Sequence, residues 1–281
     1  MKRLLRWTAI AVASLLTLII IAYAVAYVAS ERILRQTYEV PAVALSVPTD
    51  AESIAEGQRL ATTRGCFNGC HGKNAEGAVM FDEPMIARIV APNLTAAVRK
   101  YNDAQLAAIV RKGVRPDGRS MLVMPAEAFT WLTDADLGRI IASLRSLPPS
   151  TGPGPGISVG PLGRIGLALG KFKTVAQLIA DAEPPPEATG EQATLGRYLA
   201  RSSCAQCHGT NLRGASTPDF TSPDLRIAGA YSSEAFTELM RTGAGIGGRK
   251  LGTMGPLARQ TLSQFTDAEI GALYSYLHAL P

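Results

Sequence analysis

The chain has 281 residues, long enough for two ordinary domains, and is 47% hydrophobic but only 6% aromatic. Its formal charge of +5 does not mark a polyanion-binding protein. Lys2, Arg3 and Arg6 precede the first apolar run, the rest of the chain is nearly balanced, and no block of like charge reaches five residues, so nucleic acid is excluded as a partner.

Trp7 to Ala29 is a run of 23 residues without a charge. At about 1.5 Å per residue such a helix spans roughly 35 Å, enough for the hydrocarbon core of a bilayer. The three cations before it place the N-terminus in the cytoplasm and everything after Ser30 outside. Trp7, Tyr23 and Tyr27 suit an interfacial aromatic belt. The alternative is a cleaved signal peptide, with Ala22-Tyr23-Ala24 or Ala24-Val25-Ala26 as the cleavage site. A signal's apolar region runs only about 7–15 residues, so length favours a retained anchor. The expected location is the bacterial cytoplasmic membrane, with a single pass over 7–29 and the remainder periplasmic. Residues 31–50 read as a stalk.

A helical segment, 51–63, then carries Gly57 at its middle, where glycine costs about 1 kcal/mol; close passage of another helix is the expected reason. It leads into Cys66-Phe67-Asn68-Gly69-Cys70-His71. The succession returns later, with 190–202 and its Gly196 followed by Cys204-Ala205-Gln206-Cys207-His208. The second run is C-x-x-C-H, the spacing of a c-type haem attachment site. Two thiols about a turn apart can form thioethers to one porphyrin, and the next histidine can ligate the iron from below. The first run departs from the pattern by one extra residue between its cysteines, but His71 still follows Cys70 directly and Gly72 matches Gly209. Two covalently bound haem c groups are therefore expected, on Cys66, Cys70, Cys204 and Cys207, with His71 and His208 as proximal ligands.

Further repeats follow in order. Ala91-Pro92-Asn93-Leu94 corresponds to Ser222-Pro223-Asp224-Leu225, and Tyr101, Leu106, Arg111 and Gly113 correspond to Tyr231, Phe236, Arg241 and Gly243. Met124 and Met254 each lie eleven residues beyond that glycine, in loops before a terminal helix. Their matched placement makes them the expected distal iron ligands, with Met121 as the rival in the first half; Met80 and Met85 have no counterparts. Thr133-Asp134-Ala135-Asp136 and Thr266-Asp267-Ala268-Glu269 are capping boxes that open the terminal helices. The chain thus divides into an anchor within 1–30, a stalk, domain one at 51–148, a Pro- and Gly-rich connector at 149–188 and domain two at 189–281. Within the connector, 161–181 is weakly amphipathic and is expected to lie along the domains.

Both halves resemble class I cytochrome c domains, and the Met124-Pro125 pair with the Leu132-Thr-Asp-Ala-Asp-Leu137 run is similar to cytochrome subunits of periplasmic dehydrogenases. The resemblance implies an all-α fold after a transmembrane helix. It implies that the carbonyls of Pro92 and Pro223 accept hydrogen bonds from the proximal histidines and that Leu94 and Leu225 pack on the haem edge. It also implies single-electron transfer and no catalysis of its own. Expected partners are redox proteins in or at the membrane: a dehydrogenase, a quinol-oxidising complex, an oxidase or another cytochrome. A mobile carrier between a respiratory donor and an oxidase is the first reading, and a fixed electron-accepting subunit of a dehydrogenase the alternative. A diheme peroxidase would need an open distal site, which Met124 and Met254 argue against. Zinc needs four ligands from converging pairs, whereas each cysteine pair here sits in its own repeat. Disulfides would leave the adjacent histidines unexplained. Arg111, Arg241, Arg249 and Lys250 are candidates for pairing with haem propionates.

Overall fold

The computed structural model describes residues 1–40, 43–154, 156–216 and 221–281. The first helix, α1, runs Lys2–Arg35, past both ends of the 7–29 stretch. Charge marks where lipid should end, but nothing there breaks the backbone ladder, and Arg35 pairs with Glu31 one turn back at 2.6 Å. Residues 2–22 are exposed along their whole length, and the helix is long and apolar enough to cross a membrane. The segment expected as a stalk lies along the first domain. Tyr38 donates its N–H to the carbonyl of Gly118 at 2.8 Å, and Leu45 and Val47 pack on the core.

Domain one is built from α2 (Ala51–Thr63), α3 (Leu94–Lys100), α4 (Asp103–Lys112), the single turn α5 (Ala126–Phe129) and α6 (Asp134–Ser146). The Asp50 carboxylate accepts from Ser53 N–H at 2.8 Å, and the Thr133 hydroxyl accepts from Asp136 N–H at 3.1 Å. At Thr133 only half of the expected capping box forms, since among the described residues the Asp136 side chain returns no bond to Thr133 N–H, whereas Thr266 and Glu269 make both bonds. Gly113 ends α4 with φ +59°, a left-handed turn that glycine adopts freely. Two strands that helical periodicity does not announce, β1 (Ala78–Glu83) and β2 (Ala87–Ala91), form a hairpin. The connector adds β3 (Gly156–Val159) against β2, then α7 (Pro161–Ala168) and α8 (Val175–Ala180). α7 packs on α1, and α8 packs on domain one, burying Val175 against Gly113.

Domain two repeats the plan with α9 (Glu191–Leu199), α10 (Ala205–His208), a short hairpin of β4 (Ala215–Ser216) and β5 (Thr221–Ser222), α11 (Ser233–Thr242), α12 (Met254–Gln260) and α13 (Asp267–His278). Matched residues run at an offset of 137 from His71/His208 to Gly77/Gly214 and of 131 at Pro92/Pro223; the longer β1–β2 hairpin absorbs the six-residue difference.

In each domain the first helix crosses the last at its glycine. A Cβ on Gly57 would sit 1.9 Å from the carbonyl oxygen of Arg139, and one on Gly196 would sit 2.0 Å from that of Ala272. Backbone cannot yield as a side-chain tip does. Gly57→Ala is therefore expected to cost about 1–3 kcal/mol by overpacking, despite alanine's better helix propensity. Thermal denaturation of the purified protein measures it; a stabilised variant would mean that the helices do not pass this closely.

The two domains meet through equivalent positions. Arg59 on α2 makes a two-pronged ion pair with Glu269 at the start of α13, at 2.7 and 2.9 Å. Tyr198 on α9 donates to Asp136 at the start of α6 at 2.5 Å. Tyr198 is the counterpart of Arg59, and Glu269 that of Asp136, so the contact is isologous, as in a twofold dimer. Buried apolar residues of both halves join in one continuous cluster. Arg64, 1% exposed, fills the centre, with its guanidinium over the Tyr198 and Phe265 rings of domain two at 5.7 and 5.9 Å.

Candidate functional site

Each cysteine-histidine run is held by the same short backbone frame. Behind His71, Gly72 (φ +77°) turns the chain; behind His208, Gly209 does so at the same angle. The carbonyl of His71 accepts from Gly77 N–H at 2.8 Å, and that of His208 accepts from Gly214 N–H at 2.9 Å. Ala75 and Leu212, both fully buried, adopt φ +60° and +63°, a conformation that costs a non-glycine residue of order 1 kcal/mol or more and persists only when its surroundings enforce it. Their carbonyls accept from Leu94 and Leu225 N–H at 2.8 and 2.9 Å, which brings the Pro-Asn/Asp-Leu segment beside the histidine.

The histidine rings are oriented alike. Nδ1 of His71 lies 2.9 Å from the carbonyl oxygen of Pro92, and Nδ1 of His208 lies 2.8 Å from that of Pro223. A carbonyl only accepts, so Nδ1 carries the proton and Nε2 keeps its lone pair free for a metal. Burial lowers the pKa of both rings and keeps them neutral, which suits ligation.

The cysteines are free thiols, with Cys66 and Cys204 half-buried and Cys70 and Cys207 exposed. Burial pushes the Cys66 thiol up to about 11 and Cys204 up to about 12, so both positions favour neutral sulfur, as a thioether is. The extra residue of the first run is taken up between its cysteines. Phe67 is extended and buried, Asn68 is left-handed at φ +59°, and Gly69 is non-helical, while Cys204 leads helically into α10. His71 thereby keeps the relation to Pro92 that His208 has to Pro223.

Met124 and Met254 are half-buried and pack on the core, as do Leu94 and Leu225. Met121 lies outside that packed group, with its backbone clamped between Gly113 and Val175. Met80 and Met85 stand on the hairpin, 45% and 50% exposed. Among the described residues no three His, Cys, Asp or Glu side chains converge on one metal position.

Arg111 and Arg241 take matched structural roles. Arg111 pairs with Asp134 at 2.7 Å and Arg241 with Asp267 at 2.5 Å, tying the middle helix of each domain to the start of its last. Arg249 and Lys250 are exposed. The residues the sequence reading passed over lie between the two sites. Gln206, inside the second cysteine run, donates to the carbonyl of Arg64 at 3.0 Å, two residues before the first run begins. No motif marks either residue; only the docking of the domains brings them together.

A free Nε2, neutral sulfur at the attachment positions and a thioether packed on the core recur in both halves, and this donor set fits one haem c in each. Residues 54–148 and 193–281 each match the cytochrome c family. The chain is 25% identical over 256 residues to the fructose dehydrogenase cytochrome subunit of Gluconobacter japonicus, covering 82% of this chain and 53% of that one. It is likewise 25% identical over 275 residues to the cytochrome c subunits of the quinone-type alcohol dehydrogenases of Gluconacetobacter polyoxogenes and Komagataeibacter europaeus, covering 85% of this chain and 58% of theirs. It thus spans little more than half the length of these curated relatives. The match in both halves, on this geometry, makes the chain a member of the cytochrome c family: two electron-transfer domains in tandem, carrying two covalently bound haem c groups.

Proposed function

We propose that the chain is the membrane-tethered, electron-accepting cytochrome subunit of a periplasmic dehydrogenase complex. One observation carries this reading: similarity to dehydrogenase cytochrome subunits runs through more than four-fifths of the chain, across both domains and the segments between them. It favours the fixed subunit over the mobile carrier between a respiratory donor and an oxidase. The α1 helix would hold the subunit in the cytoplasmic membrane, N-terminus inward and haem domains in the periplasm. Haem c, when bound, supplies one-electron chemistry. In this reading Cys66, Cys70, Cys204 and Cys207 attach it, and Nε2 of His71 and His208 ligates from one side. The Pro92 and Pro223 carbonyls orient those rings and raise their basicity. The Met124 and Met254 thioethers would supply the second iron ligand of each haem, and Leu94 and Leu225 would keep water from it.

Purification of the chain from its native membranes in mild detergent tests the assignment. A dehydrogenase catalytic subunit should co-elute at a fixed ratio and reduce the cytochrome on addition of its substrate. Elution of the chain alone, with no dehydrogenase able to reduce it, would return the carrier reading. The ligand assignment has its own check. Met254→Ala is expected to abolish one haem's red-end thioether-to-iron absorption band and let carbon monoxide bind there. One potential should fall by an amount on the order of 0.1–0.3 V, within the roughly 0.8 V over which axial ligands move haem potentials. An unchanged titration would remove Met254 from the site.

A further inference from the structure

The connector helix does not join the haem domains to each other as its position in the chain suggests; it returns to α1. Along α1, Tyr23, Ala26 and Ala29 are half-buried and Ser30 is fully buried, a stripe at helical spacing on a helix whose first twenty residues are bare. α7 is the element packed there. Arg164 on α7 reaches Ser30 Oγ at 3.1 Å and Glu31 at 2.9 Å, with its guanidinium 4.1 Å from the centre of the Tyr27 ring. The contact therefore extends below the end of the uncharged stretch. The lowest of these partners, Tyr27, lies two residues before Ala29, about 3 Å deeper at a helical rise of about 1.5 Å.

Beside that contact, α7 and the turn after it present apolar side chains outward. Leu162, Leu169 and Phe172 are 52%, 69% and 49% exposed, and the Phe172 ring lies across Gly166. Arg32 and Arg35 on α1 and Lys171 next to Phe172 are exposed, Glu31 is paired with Arg35 and Arg164, and Glu83, beside the Pro84–Met85 turn that abuts Gly160, is exposed without an ion pair among the described residues. An apolar patch on the helix packed against a membrane span, with exposed cations in the same segments, matches the interfacial zone of an anionic bilayer, where such helices sit about 5–10 Å deep.

We propose that Leu162, Leu169 and Phe172 insert into the outer leaflet beside α1, a second point of membrane contact. This rests on α1 being a retained anchor. Two contacts, one of them continuous with domain one through β3 and α8, fix the height and tilt of the haem domains above the lipid where a single flexible stalk would leave them free.

Spin-label accessibility on the full chain tests this in vesicles of phosphatidylethanolamine and phosphatidylglycerol, with the haems kept ferric so that their constant contribution to relaxation cancels between measurements with and without each collider. With the native cysteines held as thioethers, a new cysteine carries the label, and the parent chain labelled in parallel sets the background. Leu169→Cys should collide with oxygen in preference to a water-soluble nickel chelate, with a ratio several-fold above that of Ile227→Cys on domain two. It should approach the ratio of Val25→Cys in the span. If Val25 is lipid-exposed but Leu169 behaves like Ile227, the anchor stands and the second contact is refuted. If Val25 is also open to nickel, the anchor reading fails and this inference falls with it.

Discussion

Replacing His208 with alanine is expected to leave a chain that carries haem at the first site only. His208 ends α10, its Nδ1–H is spent on the Pro223 carbonyl at 2.8 Å, and Nε2 is the free donor at that site. No second histidine can substitute: His71 belongs to the other repeat, and His278 is an exposed residue at the end of α13, stacked on Tyr274 with ring centroids 5.2 Å apart. The core of domain two, with Leu199, Ala205, Leu212 and Leu225 around the attachment segment, would lose the group it packs on. Pyridine haemochrome analysis should fall from two tetrapyrroles per chain to one, and the remaining potential should be that of domain one. His71→Ala should produce the complement. The pair of variants also decides whether the looped Cys66–Cys70 segment attaches haem as the helical Cys204–Cys207 one does. Two haems retained in His208→Ala with both potentials and the low-spin spectrum unaltered would overturn the ligand assignment.

The second large effect is expected at Arg64. Its side chain is 1% exposed, donates to the Thr63 hydroxyl at 2.8 Å, and lies 3.8 Å from Asp136 and over two aromatic rings of the other domain. Among the described residues its Nε and one Nη make no hydrogen bond. Such a group contributes cation–π and Coulomb attraction across the domain contact, offset by desolvation and two unmade hydrogen bonds. Truncating it also strips the Asp136–Tyr198 pair of its nearest buried cation. Arg64→Ala should therefore cost about 3–5 kcal/mol, the range for breaking a buried charge contact, and should split one cooperative thermal transition into two as the domains lose each other. Arg64→Leu separates the contributions, since it restores apolar volume without charge. A variant of unchanged stability and cooperativity would show that the domain contact does not depend on this residue.

Much of this architecture was legible because it is written locally and twice. The caps at Thr133 and Thr266 act within four residues, the crossing glycines and the Pro-Asn/Asp-Leu segments act on distant partners through short local signatures, and duplication separates all of them from chance. The histidine rings show how far such reading reaches: their Pro92 and Pro223 partners were expected from resemblance, and the hydrogen bonds are there at matched distances. What escaped the sequence was non-local. The β1–β2 hairpin owes its third strand to Gly156–Val159, some seventy residues on, and Thr221–Ser222 is too short to announce its counterpart. The 31–50 segment has the composition of a tether, yet Leu45 and Val47 find a core that only the folded domain supplies. Arg64 and Gln206 carry no signature at all; 142 positions apart, they meet only because the domains dock.

That docking has a consequence for covalent continuity. When Arg59 clasps Glu269 while Tyr198 clasps Asp136, each half holds the other through its own copy of one contact, and the peptide linking them becomes dispensable once both have folded. A single proteolytic nick beside Glu187, whose carboxylate is 84% exposed, should give two fragments on a denaturing gel and one particle by size exclusion, with both haems still titrating as before.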